Sequence, residues 1–206
     1  MADPQLILKD PKVKVSLIVV GVAILLYLLT GSWLNNIHNS QKTVHNNFLS
    51  LKQNCEQRLA MIPQFVQLIR ALAPSAQALE QQLIQAYILA SKYPIDEGIL
   101  TDATLMQTFV SNQMQIANAL ALMAAQANNY PALADNRQFV MLRMQLQSLD
   151  QQIQYMSVLL NQSILIYNSS LTGFPKAWLN SLFLGEKEMQ LVQGAMPTRE
   201  MPKQVK

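Results

Sequence analysis

Charge is what this chain of 206 residues has least of. Only 13% of its residues are charged, roughly half the share in an ordinary soluble protein. The net charge of +3 is spread thinly, so no basic patch can neutralise a row of phosphates, and nucleic acid is not expected as a partner. A single cysteine, Cys55, excludes an internal disulfide framework, and no Cys/His cluster has the spacing of a structural zinc site. Neither G-x-x-x-x-G-K nor G-x-G-x-x-G occurs, so a glycine loop that cradles phosphate has no support. The carboxylate pairs Asp96-Glu97 and Glu186-x-Glu188 fall in a turn and a tail, where solvation explains them better than acid–base chemistry. His38 and His45 are seven apart among Asn and Gln and read as surface residues of one helix face. No catalytic residue, metal ligand or cofactor site is expected, and hence no enzyme.

Amides take the place of charge: the chain holds 24 Gln and 14 Asn. Gln, Leu, Ala and Met favour helix, and only 6 Gly are present to supply turns, so the fold class is all-α.

Residues 15–34 read VSLIVVGVAILLYLLTGSWL, twenty residues without a charge. As a helix they span about 30 Å, the thickness of a bilayer's hydrocarbon core. The sequence therefore predicts a transmembrane anchor carried by Val15, Leu17, Ile18, Val19, Val20, Ile24, Leu25, Leu26, Leu28 and Leu29, with Trp33 at the headgroup level. The run is longer than the apolar stretch of a cleaved signal peptide and lacks an A-x-A-like site. Lys9, Lys12 and Lys14 precede it and Lys42 and Lys52 follow, a bias toward residues 1–14 on the cytoplasmic side and the remainder outside.

Beyond the run, apolar residues recur at helical spacing. Val44, Phe48, Leu51, Cys55, Leu59, Ile62, Val66, Ile69 and Ala73 form one stripe of a helix continuous with the anchor and bent at Pro63. Pro74-Ser75 is expected to end it and cap the next helix, with Ala76, Leu79, Leu83, Ala86 and Ala90 inward. Thr101 or Asp102 caps a third helix with the stripe Leu105, Phe109, Asn112, Ile116, Ala119 and Met123. Asp135 is expected to cap the longest one, packed through Phe139, Leu142, Leu146, Leu149, Ile153, Met156 and Leu160, then Ser163 and Tyr167, with steps of 3 and 4. A second apolar row, Val158, Leu159, Leu165 and Ile166, marks an end either more deeply buried or in contact with a partner. After Gly173-Phe174-Pro175, residues 176–184 form a short helix. Phe174, Trp178 and Phe183 there either plug the bundle's open end or touch a membrane interface, with the plug favoured. Residues 185–206 read as a mobile tail. The expected architecture is a transmembrane helix continuing into an antiparallel up-down four-helix bundle, residues 35–184, with a short C-terminal helix. Asn161-Gln162-Ser163 and Asn168-Ser169-Ser170 match the glycosylation pattern, a match common enough by chance to be discounted. The methionines at or beside the stripes, Met106, Met114, Met123, Met141, Met144 and Met156, read as core filling, with an adaptable binding surface for partner helices as the alternative.

Several stretches resemble one family. They are Tyr130-Pro131-x-Leu133-x-x-Asn136-x-x-Phe139-x-x-Leu142-x-x-x-Leu146 followed by Asp150 and Ile153; Tyr167-Asn168 ahead of Phe174-Pro175 and Leu182-Phe183; and Arg58-x-x-x-Ile62-Pro63-x-x-Val66. Asn35 and Arg199-x-x-Pro202-x-x-Val205 add to them. In order and spacing these resemble the LemA family of bacterial membrane proteins. Phe48 stands where the family often has Trp, and Asn54, Cys55, Glu56 and Gln57 where it is more basic. The resemblance implies an anchored helical bundle at the bacterial inner membrane, and no reaction. The expected function is a non-enzymatic envelope scaffold or assembly module, partnered by the lipid bilayer, by further copies of itself and by other envelope membrane proteins. The alternative is a sensor that binds a ligand or lipid in the bundle interior.

Overall fold

A computed structural model of the chain describes residues 11–173 and 176–192; within these, the side chains at 11–14, 22–29 and 183 fall outside the described set. Every regular element among the described residues is helical.

The first helix, α1, runs Pro11–Leu72, 62 residues without a break, about 93 Å at helical rise. No Gly or Pro interrupts it between Gly31 and Pro63. Pro63, expected to bend it, is exposed and the helix continues for nine more residues. The side chains of Val15, Leu17, Ile18, Val19 and Val20 are exposed. Those of Ile24, Leu25, Leu26, Leu28 and Leu29 lie outside the described set. Among the described residues, no helix is long and apolar enough to cross a membrane.

A tight turn closed by the Ala76 N–H on the Ala73 carbonyl leads to α2, Gln77–Ser91. Ser75 does not cap it. Ala76 takes that position without a side-chain bond, and Glu80 supplies first-turn negative charge while accepting from Arg70 at 2.6 Å. A short 3-10 turn, Glu97–Leu100, precedes α3, Ala103–Gln126. Asp102 caps α3 by accepting from the N–H groups of Thr104 and Leu105. A 3-10 turn and a one-turn helix α4, Pro131–Ala134, lead into α5, Arg137–Leu171. The α5 cap is Asn136, accepting from the Phe139 N–H at 3.0 Å. Asp135 sits one residue too early, its own N–H bonded to the Pro131 carbonyl inside the preceding turn. Finally α6, Lys176–Leu179, continues as a π turn, Asn180–Leu184, and stops at Gly185 in the left-handed conformation.

The close helix pairs are α1 with α5, α1 with α2 and α2 with α3. The α1/α5 pair is antiparallel: Trp33 reaches Ser170, Asn47 reaches Leu159, Arg58 reaches Asp150, and Phe65 meets Phe139 edge to face at 5.7 Å. Each helix covers about 47 Å between its two end contacts, so the two remain in register along the whole bundle. The core is one cluster: Val44, Phe48, Leu51, Ile62, Phe65 and Ile69 of α1 pack with Leu79 and Leu83, Ile116 and Leu120, and the α5 stripe. Of the expected α5 residues, Phe139, Leu142, Leu146, Leu149, Ile153 and Leu160 are buried and Met156 is partly buried. Buried Ser157, Ser163 and Ser170 return their hydroxyls to carbonyls three residues back, which spares the core an unsatisfied donor.

Two stripes differ from expectation by one residue. On α3 the inward positions are Met106, Phe109, Val110, Gln113, Ile116, Leu120 and Met123, while Leu105 is exposed and Asn112 half-buried. On α1 the stripe passes through Arg58, not Leu59. The two polar side chains that take inward positions, Arg58 and Gln113, bond to each other.

Candidate functional site

The centre of the bundle is polar. Arg58, 2% exposed, donates from Nη1 to Asp150 Oδ1 at 3.1 Å and from Nη2 to Gln113 Oε1 at 2.6 Å. The Gln113 backbone carbonyl also accepts, at 3.3 Å. One guanidinium thus joins α1, α3 and α5 across the core. Its Nε is buried without a partner, so the site is under-satisfied by one acceptor. A buried charge held this way adds little net stability but makes loss of one partner expensive. Cys55, one turn earlier, is pushed from 9.0 up to about 12 by burial, which outweighs the lowering effect of the Arg58 charge. It is a packed thiol, not a nucleophile.

Beside this centre a cleft of about 390 Å³ opens between α1, α2, α3 and the loop before α3. Cys55, Leu59, Tyr93, Ile95, Phe109 and Gln113 are among its walls. It offers apolar surface, amides and two carboxylates, Glu56 and Asp96, the latter accepting from the Gly98 N–H at 2.9 Å. Among the described residues, no three His, Cys, Asp or Glu side chains gather as a metal site would need. His45 meets Glu97 at 2.8 Å on the surface, which ties α1 to the loop before α3.

The chain after α6 is held, at least to Val192, where a mobile tail was expected from residue 185. Asn168 donates to the Met189 carbonyl and accepts from the Met189 N–H, both at 2.9 Å. Asn161 does the same with Val192, at 3.1 and 2.8 Å. The geometry follows from two rises. Seven helical residues advance about 10.5 Å and three extended residues about 10 Å, so asparagines seven apart meet backbone positions three apart. The Gln190 N–H donates to the Leu100 carbonyl at 2.7 Å, and Val192 is buried in the core cluster. The segment straps α5 to the loop before α3. Both asparagines of the glycosylation-like patterns are therefore occupied, donor and acceptor alike.

The outer side of α5, opposite its buried stripe, mixes exposed apolar side chains with exposed Gln147, Ser148, Gln151 and Gln162. Met141, Met144, Tyr155, Val158, Leu165 and Ile166 are exposed there, with Tyr155 at 61% and Ile166 at 60%. Of the second row, Val158, Leu165 and Ile166 are exposed and Leu159 is half-buried, so this end of α5 is not more deeply buried. From Met144 to the end of α5 the only charged residue is Asp150, and Arg58 engages it.

The sequence model of one family, the LemA family, matches residues 47–206. The chain belongs to the LemA family. A search among curated proteins finds no match. Within the LemA match fall Arg58 and Asp150, which belong to separate stretches of the resemblance and meet in the core. Asn136 of the Tyr130-Pro131 stretch is the α5 cap, and Asn168 of the Tyr167-Asn168 stretch is one of the strap clamps. Tyr167 donates to Glu186 at 3.1 Å, and burial with that carboxylate nearby pushes its hydroxyl well above the usual tyrosine range. Of the expected interaction residues, Trp178 is 60% exposed and does not plug the bundle. Phe174 and the Phe183 side chain lie outside the described residues. Trp33 is half-buried, its indole N–H on the Ser170 carbonyl at 2.9 Å.

Sequence reasoning missed Gln113 as a core residue and the clamp made by Asn161 and Asn168. The first carried a signal: a Gln in step with Met106, Phe109, Ile116 and Leu120. The second carried a weaker one, two asparagines at heptad spacing on a flank of α5.

Proposed function

We propose that this LemA-family chain is a membrane-anchored, non-enzymatic assembly module whose copies pack side by side through the outer face of α5. One observation carries the reading: Met144, Tyr155, Val158, Leu165 and Ile166 are exposed on the outer side of α5, a stretch whose single charged residue, Asp150, is engaged by Arg58. A surface so poor in charge offers little repulsion between like copies, and exposed apolar side chains are where association gains most. Each half-exposed side chain covered there would contribute about 1 kcal/mol.

The anchor is part of the proposal. Residues 15–34 carry no charge, α1 is helical through them, and the described side chains from Val15 to Val20 include five exposed large apolar ones. The middle of the run, 22–29, lies among the side chains outside the described set. Spanning the bacterial inner membrane there, with the bundle on the outer side, would set α5 upright beside α1. Its outer face would then point sideways, toward a neighbour anchored in the same membrane. The LemA relation supports the bundle and is silent on the partner.

The test is the assembly state of the full chain in mild detergent, by sedimentation or native mass spectrometry, against V158D/I166D. A wild-type oligomer that the charges dissolve, with helicity unchanged, is the expected result. A monomeric wild type ends this reading.

A second reading rests on the 390 Å³ cleft, whose size suits a small ligand. An apolar molecule with one hydrogen-bonding group, set against Phe109, Tyr93 and Gln113, would make the chain a sensor. Native mass spectrometry with no retained small molecule would count against it.

A further inference from the structure

Among the described residues, the chain leaves the bundle after Leu171 and is back against it at Glu186, at the same height. Departure is at Ser170 and Leu171, where the Ser170 carbonyl accepts from the Trp33 indole. Return is at Glu186, whose carboxylate accepts from the Tyr167 hydroxyl and whose backbone N–H and carbonyl are both held by the Asn180 side chain. Trp33 closes the uncharged run 15–34. The excursion is therefore confined to the end of the bundle from which that run emerges. It is also apolar where it faces out. Trp178 and Leu182, four residues apart on one helical face, are 60% and 57% exposed, and Leu184 is exposed after them. More than half of the Trp178 and Leu182 surface is left open.

We propose that α6 and its π turn form a second contact with the bilayer, lying in the headgroup layer beside the point where α1 leaves it. The proposal rests on the reading of 15–34 as a membrane anchor. The occupant is a phospholipid surface because the face is level with the end of the apolar run and presents an indole, the side chain best suited to the interface. Charge plays no net part: Lys176 and Lys187 are matched by Glu186 and Glu188. The contact is apolar, and zwitterionic lipid suffices for it. Two points of attachment would stop the bundle from turning about the anchor axis and fix the direction in which the α5 face looks.

Trp33 and Trp178 are the only two tryptophans, which makes the test direct. The full chain is reconstituted in phosphatidylcholine vesicles with and without brominated acyl chains, as W33F, which leaves Trp178 alone, and as W178F, which leaves Trp33 alone. The expected result is emission loss from brominated lipid in both proteins, comparable in size, with Trp178 shielded from aqueous acrylamide. Should W33F lose helicity, the difference between wild type and W178F gives the same reading of Trp178. If Trp33 is quenched while Trp178 is not and stays open to acrylamide, the second contact is overturned and the anchor stands. If neither is quenched, the anchor reading fails and takes the second contact with it. Quenching of Trp178 that requires anionic lipid and vanishes in high salt overturns the apolar contact as well.

Discussion

Replacing Arg58 with alanine should be among the most damaging single changes to the bundle. The guanidinium is 2% exposed and holds Asp150 and Gln113 on two other helices. Its removal leaves a carboxylate that is 28% exposed without this cation, two Gln113 oxygens without this donor, and a void. Breaking a buried ion pair from one side costs about 3–5 kcal/mol. Partial exposure of Asp150 pulls toward the low end, and loss of the orphaned Nε returns roughly 1 kcal/mol. The stranded amide acceptor and the void push the other way, so about 3–4 kcal/mol is expected. With a slope of about 2 kcal/mol per molar urea, the unfolding midpoint should fall by roughly 1.5–2 M. A double-mutant cycle of R58M and D150N isolates the pair, and its coupling should exceed about 1 kcal/mol. An R58A loss below about 1 kcal/mol, as for a surface ion pair, or strict additivity in the cycle, would refute the account of the core.

Three further outcomes are expected. Burial holds the Cys55 proton in the folded state from its ordinary 9.0 up to about 12; above pH 9 the unfolded chain has lost that proton, so stability falls as pH rises to 12. The advantage of wild type over C55A in urea melts should therefore shrink across that window, and alkylation of Cys55 at neutral pH should proceed only on unfolding. In N161A/N168A the strap loses four hydrogen bonds to Met189 and Val192; hydrogen exchange at those two amides should accelerate by one to two orders of magnitude, matching about 1–3 kcal/mol, while the α5 stripe keeps its protection. N136A should cost about 1 kcal/mol as a lost helix cap and D135A much less, measured by thermal melts of both.

Much of the fold was legible because hydropathy spacing reports which face of a helix turns inward. The α5 stripe from Phe139 to Leu160, the α2 stripe from Ala76 to Ala90, a cap at Thr101 or Asp102 and the stop at Gly185 all followed from spacing or local backbone chemistry. Spacing cannot report which polar residue has a partner on another helix. Arg58 and Gln113 each sit in step with apolar neighbours, yet a charge and an amide count as solvent-facing until the other is known to be across the core. Asp135 and Asn136 are equivalent as caps in sequence, and only the preceding turn, which uses the Asp135 N–H, decides between them. The strap depends on the near equality of two helix turns and three extended residues, a match that appears only once both segments are placed. Low charge made the outer face of α5 visible in outline, through Val158, Leu159, Leu165 and Ile166, but its exposure is a property of the packed bundle.

Side-by-side packing through α5 is tested most directly in native membranes. Single cysteines at Tyr155 and Ile166, and at exposed Gln115 on α3 as control, are placed in a C55S background and oxidised without detergent. The account predicts a disulfide-linked dimer of the full chain from the two α5 positions and none from the control. Dimer from all three alike, or from none, would contradict it.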